Sequence, residues 1–223
     1  MDIQRNVEEI RTGIEEALTK ANRPKDSVKL VAVTKTVDSQ TAQTLIKEGI
    51  DHIAENRVDK FLEKYEALKD QEVTWHLIGT LQRRKVKDVI NLVDYFHALD
   101  SLRLAQEINK RAEHTIHCFL QVNISKEESK HGVYIEDLDQ LLPELAQCQN
   151  IQIDGLMTMA PFDATDQELD QIFGRMQALQ KELQAKQFEN MPFTELSMGM
   201  SRDYEKAIEH GATFIRIGTS FFK

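Results

Sequence analysis

Eight short apolar runs recur along this chain at a near-constant interval, each but the last followed by a segment of helical periodicity, and that alternation constrains the fold more than any other feature. The runs fall at residues 28–35, 50–56, 73–79, 94–100, 114–122, 151–159, 193–198 and 212–217. Between them the spacing predicts helices over 38–48, 57–68, 81–91, 101–112, 136–147, 165–187 and 204–209. Asp38 and Ser101 are placed as N-caps, Gly49 as a stop, and Pro143 as an interruption or late start of its helix. Ahead of the first run, Ile3, Val7, Ile10, Ile14 and Leu18 mark one face of an amphipathic helix over 2–21. Eight strands alternating with helices suit a closed parallel (β/α)8 TIM barrel better than an open doubly wound sheet, which usually has fewer strands. The expectation is an α/β fold: a single barrel domain spanning residues 1–223, preceded by an N-terminal helix and divided by no linker.

The C-terminal strand ends of such a barrel share one rim, where binding and catalytic residues collect. Lys35, Asn56, His76 with Gly79, Asp100, Asn123, Met157 to Met159, Ser197 to Ser201 and Arg216 to Thr219 fall at or just past those ends. Lys35 closes the run Val28-Lys29-Leu30-Val31-Ala32-Val33-Thr34, which is apolar on both faces. On that stretch alone two readings stand side by side: a lysine reaching to solvent, or an amine at a barrel mouth, activated by partial desolvation for Schiff-base chemistry. Ser197-Met198-Gly199-Met200-Ser201 before a short helix, and Arg216-Ile217-Gly218-Thr219 at the last strand end, supply glycines, hydroxyls and backbone N–H groups suited to an anion. Phosphate sites between the loops after strands seven and eight are a recurring barrel arrangement, and strand eight neighbours strand one in a closed barrel. A lysine amine beside a phosphate cradle is what pyridoxal 5′-phosphate (PLP) requires.

Seven blocks then carry a resemblance. Val31-Ala32-Val33-Thr34-Lys35, Glu55-Asn56, His76-Leu77-Ile78-Gly79-Thr80-Leu81-Gln82, Asn123-Ile124-Ser125 with Glu127 and Lys130-His131-Gly132, Gly155-Leu156-Met157, Leu196-Ser197-Met198-Gly199-Met200-Ser201 and Arg216-Ile217-Gly218-Thr219 follow in the right order over essentially the whole chain. On them the chain resembles the pyridoxal phosphate homeostasis protein family, whose barrel is of the alanine racemase type without the second β-domain. The resemblance implies PLP as cofactor, carried by Lys35 as an internal aldimine. Asn56, His76, Gly79, Ser197, Met198, Gly199, Ser201, Gly218 and Thr219 would contribute to its site, and Arg216 would face the pyridine nitrogen. It implies a carrier or buffer in intracellular vitamin B6 homeostasis, with PLP and PLP-dependent apoenzymes as partners and no catalytic residue. The competing reading is a PLP-dependent amino-acid racemase. Only Ser220 to Lys223 follow the last strand, which leaves no room for the appended domain that brings a racemase its second base.

Composition narrows the remaining classes. A net charge of −9, with lysine and arginine scattered among acidic residues, argues against a nucleic-acid surface, and residues 82–87 form the one local basic run. No apolar run reaches bilayer length and no secretory leader is visible, so membrane insertion and export are not expected. Cys118 and Cys148 sit in apolar patterns as buried thiols, in keeping with a reducing cytoplasm. The histidines form no metal-ligand spacing with cysteines or acids, so no metal is assigned; His76, between Trp75 and Leu77, also fits a hydrogen-bonded core residue.

Overall fold

Burial on both faces makes the predicted runs into parallel strands. In the computed structural model, which describes residues 1–223, they are β1 (Lys29–Val33), β2 (His52–Glu55), β3 (Thr74–Leu77), β4 (Tyr95–Leu99), β5 (Ile116–Gln121), β6 (Ile151–Met157), β7 (Glu195–Ser197) and β8 (Phe214–Ile217). Each pairs with the next, and β8 pairs in parallel with β1, so the sheet closes as a barrel with no free edge. The register sets Val31 beside Arg216 and Ala32 beside Ile217, which brings the ends of β1 and β8 together as the site requires.

The helices are α1 (Ile3–Lys20), α2 (Ser39–Lys47), α3 (Val58–Leu68), α4 (Arg83–Val89), α5 (Leu102–Arg111), α6 (Leu138–Leu145), α7 (Asp166–Gln184) and α8 (Tyr204–Glu209). Asp38 and Ser101 cap α2 and α5 as expected, each accepting a backbone N–H from three residues on. Thr165 and Glu168 add a reciprocal capping box to α7. A 3₁₀ turn, Ile135–Asp137, precedes α6, which begins at Leu138 and keeps Pro143 inside it. Every strand is shorter than the apolar run that signals it; β7 has three residues because Phe193, at φ +49°, leaves the strand conformation before Glu195.

The predicted N-terminal face, Val7, Ile10, Ile14 and Leu18, is buried, and α1 packs against α2, α8 and the 3₁₀ turn Thr219–Phe222. It thus fills the place in the helical ring that no helix after β8 occupies. Asn6 joins that face unannounced: its amide nitrogen donates to the carbonyls of Phe221 (2.9 Å) and Lys223 (3.3 Å), tying the two chain ends. No helix is long and apolar enough to cross a membrane.

Candidate functional site

The site is built at the C-terminal rim from β1 outward. Thr34, just past β1, is fully buried, and the chain then turns so that Lys35 is exposed, with no hydrogen bond or ion pair of its own. Protein packing does not surround Lys35, so the partial desolvation expected of a mouth amine is not supplied by burial in this structure. Its backbone is held from below instead. Lys64 of α3 donates to the Thr34 carbonyl oxygen at 2.7 Å and to the carboxylate of Glu55, and Thr34 Oγ1 donates to Glu55 Oε1 at 2.8 Å. Glu55 is fully buried and Lys64 nearly so, which makes this an ion pair inside the barrel wall, directly under the turn that presents Lys35.

The loops after β7 and β8 close the opposite side of that turn. Gly199 has φ +103°, and a Cβ there would lie 2.7 Å from Ala207 Cβ, so both backbone shape and space demand glycine. Asp203 Oδ1 accepts the Met200 N–H at 2.7 Å while the Asp203 N–H donates to the Met200 carbonyl at 3.1 Å, which pins the loop from both sides. Burial raises the Asp203 carboxyl above the ordinary range, partly offset by that hydrogen bond and by Arg216. The Gly218 N–H points at Ser201 Oγ, 3.4 Å away, so the two glycine loops meet. With α8 only six residues long, a helix dipole contributes little here, and the anion-binding character rests on loop N–H groups and hydroxyls. Met198 is fully buried and offers the rim only its backbone, while Thr219 is exposed beside Gly218.

Arg216 lies beneath these loops, almost fully buried, with its guanidinium donating to Ser197 Oγ and, at 3.0 Å, to the Thr158 carbonyl. Burial pushes its pKa down to about 10, against the opposing pull of Asp203. Two of its five N–H donors are engaged in these bonds, which leaves others for a ligand. Across the rim, Gly79 follows β3 so closely that a Cβ would come within 2.0 Å of the Asn56 carbonyl oxygen, so glycine is required for Asn56 and Gly79 to sit side by side. Beyond β5, Asn123 Oδ1 is buried without a hydrogen-bond partner. Lys130 Nζ is likewise buried, 3.3 Å from Glu127 Oε2 but without hydrogen-bond geometry.

The structure therefore brings Lys35, Asn56, Gly79, Ser197, Gly199, Ser201, Arg216, Gly218 and Thr219 to one rim. It places His76 elsewhere: that ring is wholly buried in the middle of the barrel, bonded to His52 and His97, and does not reach the rim to which it was assigned. The physical reason is direction: His76, the penultimate residue of β3, points into the barrel, and its short ring is held there between His52 and His97. Sequence reasoning missed the Glu55–Lys64 clamp, although an acid ending a strand nine residues before a lysine on the next helix was visible.

A barrel that presents an exposed amine at the end of β1, two joined glycine loops after β7 and β8, and a buried arginine under them is a barrel of the alanine racemase type. The family model for the alanine racemase N-terminal domain matches residues 5–223. The pyridoxal phosphate homeostasis protein of Aquifex aeolicus is 40% identical over 212 residues, covering 94% of this chain and 92% of that one. That of Escherichia coli K12 is 31% identical over 99% of this chain and 96% of its own. The chain belongs to the pyridoxal phosphate homeostasis protein family. Among solved structures, PipY from Synechococcus elongatus with PLP bound superposes with a TM-score of 0.83 at 36% identity, over 94% of this chain and 100% of that one. An alanine racemase from Corynebacterium glutamicum shares the fold, with a TM-score of 0.70 at 16% identity, and this chain covers 59% of it.

Proposed function

We propose that this protein binds PLP reversibly through Lys35 and acts as a carrier or buffer in intracellular vitamin B6 homeostasis, not as an amino-acid racemase. One observation carries the reading: an exposed, unpaired lysine amine stands on the same rim as two glycine loops that meet through Gly218 and Ser201, over a buried guanidinium. The residues fit the group in chemistry and in space. Gly218 keeps its loop free of side-chain atoms, where a Cβ would already touch Val33 at 3.4 Å, and beyond β5 Lys130 Nζ and Asn123 Oδ1 are buried without a hydrogen-bond partner. The names of the relatives and the PLP-bound PipY structure support the same assignment.

When bound, the cofactor supplies an aldehyde that an amine captures with loss of water. Every other part is done by the chain. Lys64 and Glu55 fix the carbonyl of Thr34, so the Lys35 side chain starts from a rigid anchor. The N–H groups and hydroxyls around Ser201, Gly218 and Thr219 are placed to hold a phosphate. Arg216 keeps its own proton and presents a positive charge under the rim; were a pyridine nitrogen held beside it, a second positive charge there would be costly, and the unprotonated ring would withdraw electrons poorly. Tight holding without strong electron withdrawal gives occupancy, not rate. The test is a titration of the purified protein with PLP, followed by its visible absorbance, beside Lys35→Ala. Binding by wild type with loss of the visible band in Lys35→Ala supports the reading; equal bands in both proteins contradict it.

A further inference from the structure

The barrel interior holds a line of polar side chains that packing does not call for. His52 Nδ1 lies 2.8 Å from His76 Nε2, His76 Nδ1 lies 2.8 Å from His97 Nε2, and His97 Nδ1 lies 2.8 Å from Ser197 Oγ, which is bonded in turn to Arg216. His76, His97 and Ser197 are fully buried among Phe119, Phe214 and Tyr95. The line starts at His52 in the N-terminal mouth and ends at Arg216 under the opposite rim, so it runs the length of the barrel.

Its direction follows from donor counting. A guanidinium only donates, so Ser197 Oγ accepts from Arg216. The one Ser197 O–H then has a single acceptor within reach, His97 Nδ1; with the bond reversed, that hydroxyl would be buried with nothing to donate to. Burial holds His97 and His76 neutral, with pKa values well below the ordinary histidine range, so each carries one proton. An accepting His97 Nδ1 puts that proton on Nε2, from where it is donated to His76 Nδ1. The same logic places the His76 proton on Nε2, donated to His52 Nδ1, and leaves His52 Nε2–H facing the mouth, 4.0 Å from Asp51. We propose that Ser197, His97, His76 and His52 are positioning residues for Arg216: a one-way hydrogen-bonded relay, its direction set by the guanidinium, that holds Arg216 at the cofactor rim and has His52 as its solvent-facing end. The relay is neutral throughout and supplies acceptors without a counter-charge, so the charge of Arg216 stays directed at the rim; that last clause rests on the cofactor reading above.

At its outer end His52 faces Asp51 on its own strand approach, Lys29 from β1, Asp94 before β4 and His76 from β3, with Tyr95 and His117 across the mouth. Protonating His52 would set its Nδ1–H against the His76 Nε2–H, so the direction set by Arg216 opposes charging of His52.

The test uses the unloaded full chain, labelled with ¹⁵N at histidine, and long-range ¹H–¹⁵N correlation near neutral pH. The expected result is the neutral Nε2–H form at His52, His76 and His97. A charged ring or an Nδ1–H tautomer at either His76 or His97 in wild type overturns the proposal. Ser197→Ala, a small change that preserves packing, cuts the relay and is expected to let His97 populate the Nδ1–H form; unchanged tautomers in that variant also overturn it. On loading with PLP, His97→Asn, which breaks the relay one residue away from the site, is expected to give a Lys35 adduct with a shifted visible maximum, and an unshifted maximum shows that the relay does not position Arg216. Failure of every form to take up PLP would sink the cofactor reading and leave the NMR result to decide the relay on its own.

Discussion

Removing the Lys64 charge is expected to cost this fold more than any surface change, and to act on the site as well. In Lys64→Met the aliphatic stem is kept while Nζ is lost from the Glu55 carboxylate and the Thr34 carbonyl. Glu55 is then a fully buried anion with Thr34 Oγ1 as its remaining donor, and its other oxygen, Oε2, already has no partner. Breaking a buried pair from one side costs about 3–5 kcal/mol, mostly because the surviving charge stays buried. For a chain of this size each kcal/mol moves the midpoint by about 2–4 °C, so a fall in Tm of roughly 6–20 °C is expected. The double variant Lys64→Met with Glu55→Gln removes the stranded charge and is expected to regain much of that loss, a coupling that a mere packing defect at residue 64 would not show. The assay is thermal and urea unfolding of the four proteins of the cycle near neutral pH, with PLP uptake measured alongside. A Tm for Lys64→Met within about 2 °C of wild type, or a double variant no more stable than the single, would refute the reasoning.

Other outcomes follow from the same geometry. Gly218→Val is expected to weaken PLP binding and to lower Tm less than Gly199→Val, because a Cβ at Gly218 only touches Val33 at 3.4 Å, whereas Gly199 has a positive φ and Ala207 within 2.7 Å; equal affinity for pyridoxal with and without its phosphate would remove the cradle. Since His76 and His97 are held neutral by burial while the unfolded chain takes up protons below about pH 6.5, the unfolded state binds more protons there, and stability is full above that pH and falls beneath it by up to about 1.4 kcal/mol per pH unit for each ring. Urea unfolding at about pH 7 and about pH 5.5 reads this slope, and His97→Asn is expected to make it shallower; identical slopes would contradict the burial effect. Small amino acids in heavy water are expected to gain at most stoichiometric deuterium at Cα over the loaded protein. Lys35-dependent exchange over many turnovers would favour the racemase reading instead.

The barrel was legible because period and punctuation agree along most of the chain. Asp38, Ser101 and Gly49 mark helix ends by local chemistry, and the apolar runs mark strands that are buried on both faces. The rim was legible for the same reason: Lys35, Asn56, Gly79 and Gly218 follow a strand, and Ser197 and Arg216 lie in the last two residues of one. His76 shows the limit. A strand end in sequence does not say whether a side chain sits at the rim or points into the barrel, and the ring belongs to the interior relay. The spacing of two that sets Tyr95 with His97 and Phe214 with Arg216 on one face of their strands was a signal for that relay, but pairing across strands is a matter of register, which periodicity does not carry. The Glu55–Lys64 pair was hidden because a strand acid and a helix lysine look like ordinary surface charges until both are found buried.

The most direct measurement is borohydride reduction of the PLP-loaded protein followed by peptide mass mapping. The account predicts a single dominant phosphopyridoxyl adduct on Lys35, absent from Lys35→Ala, with at most a weak trace on Lys130. A dominant adduct on any other lysine, or none on a protein that has taken up PLP, would contradict it.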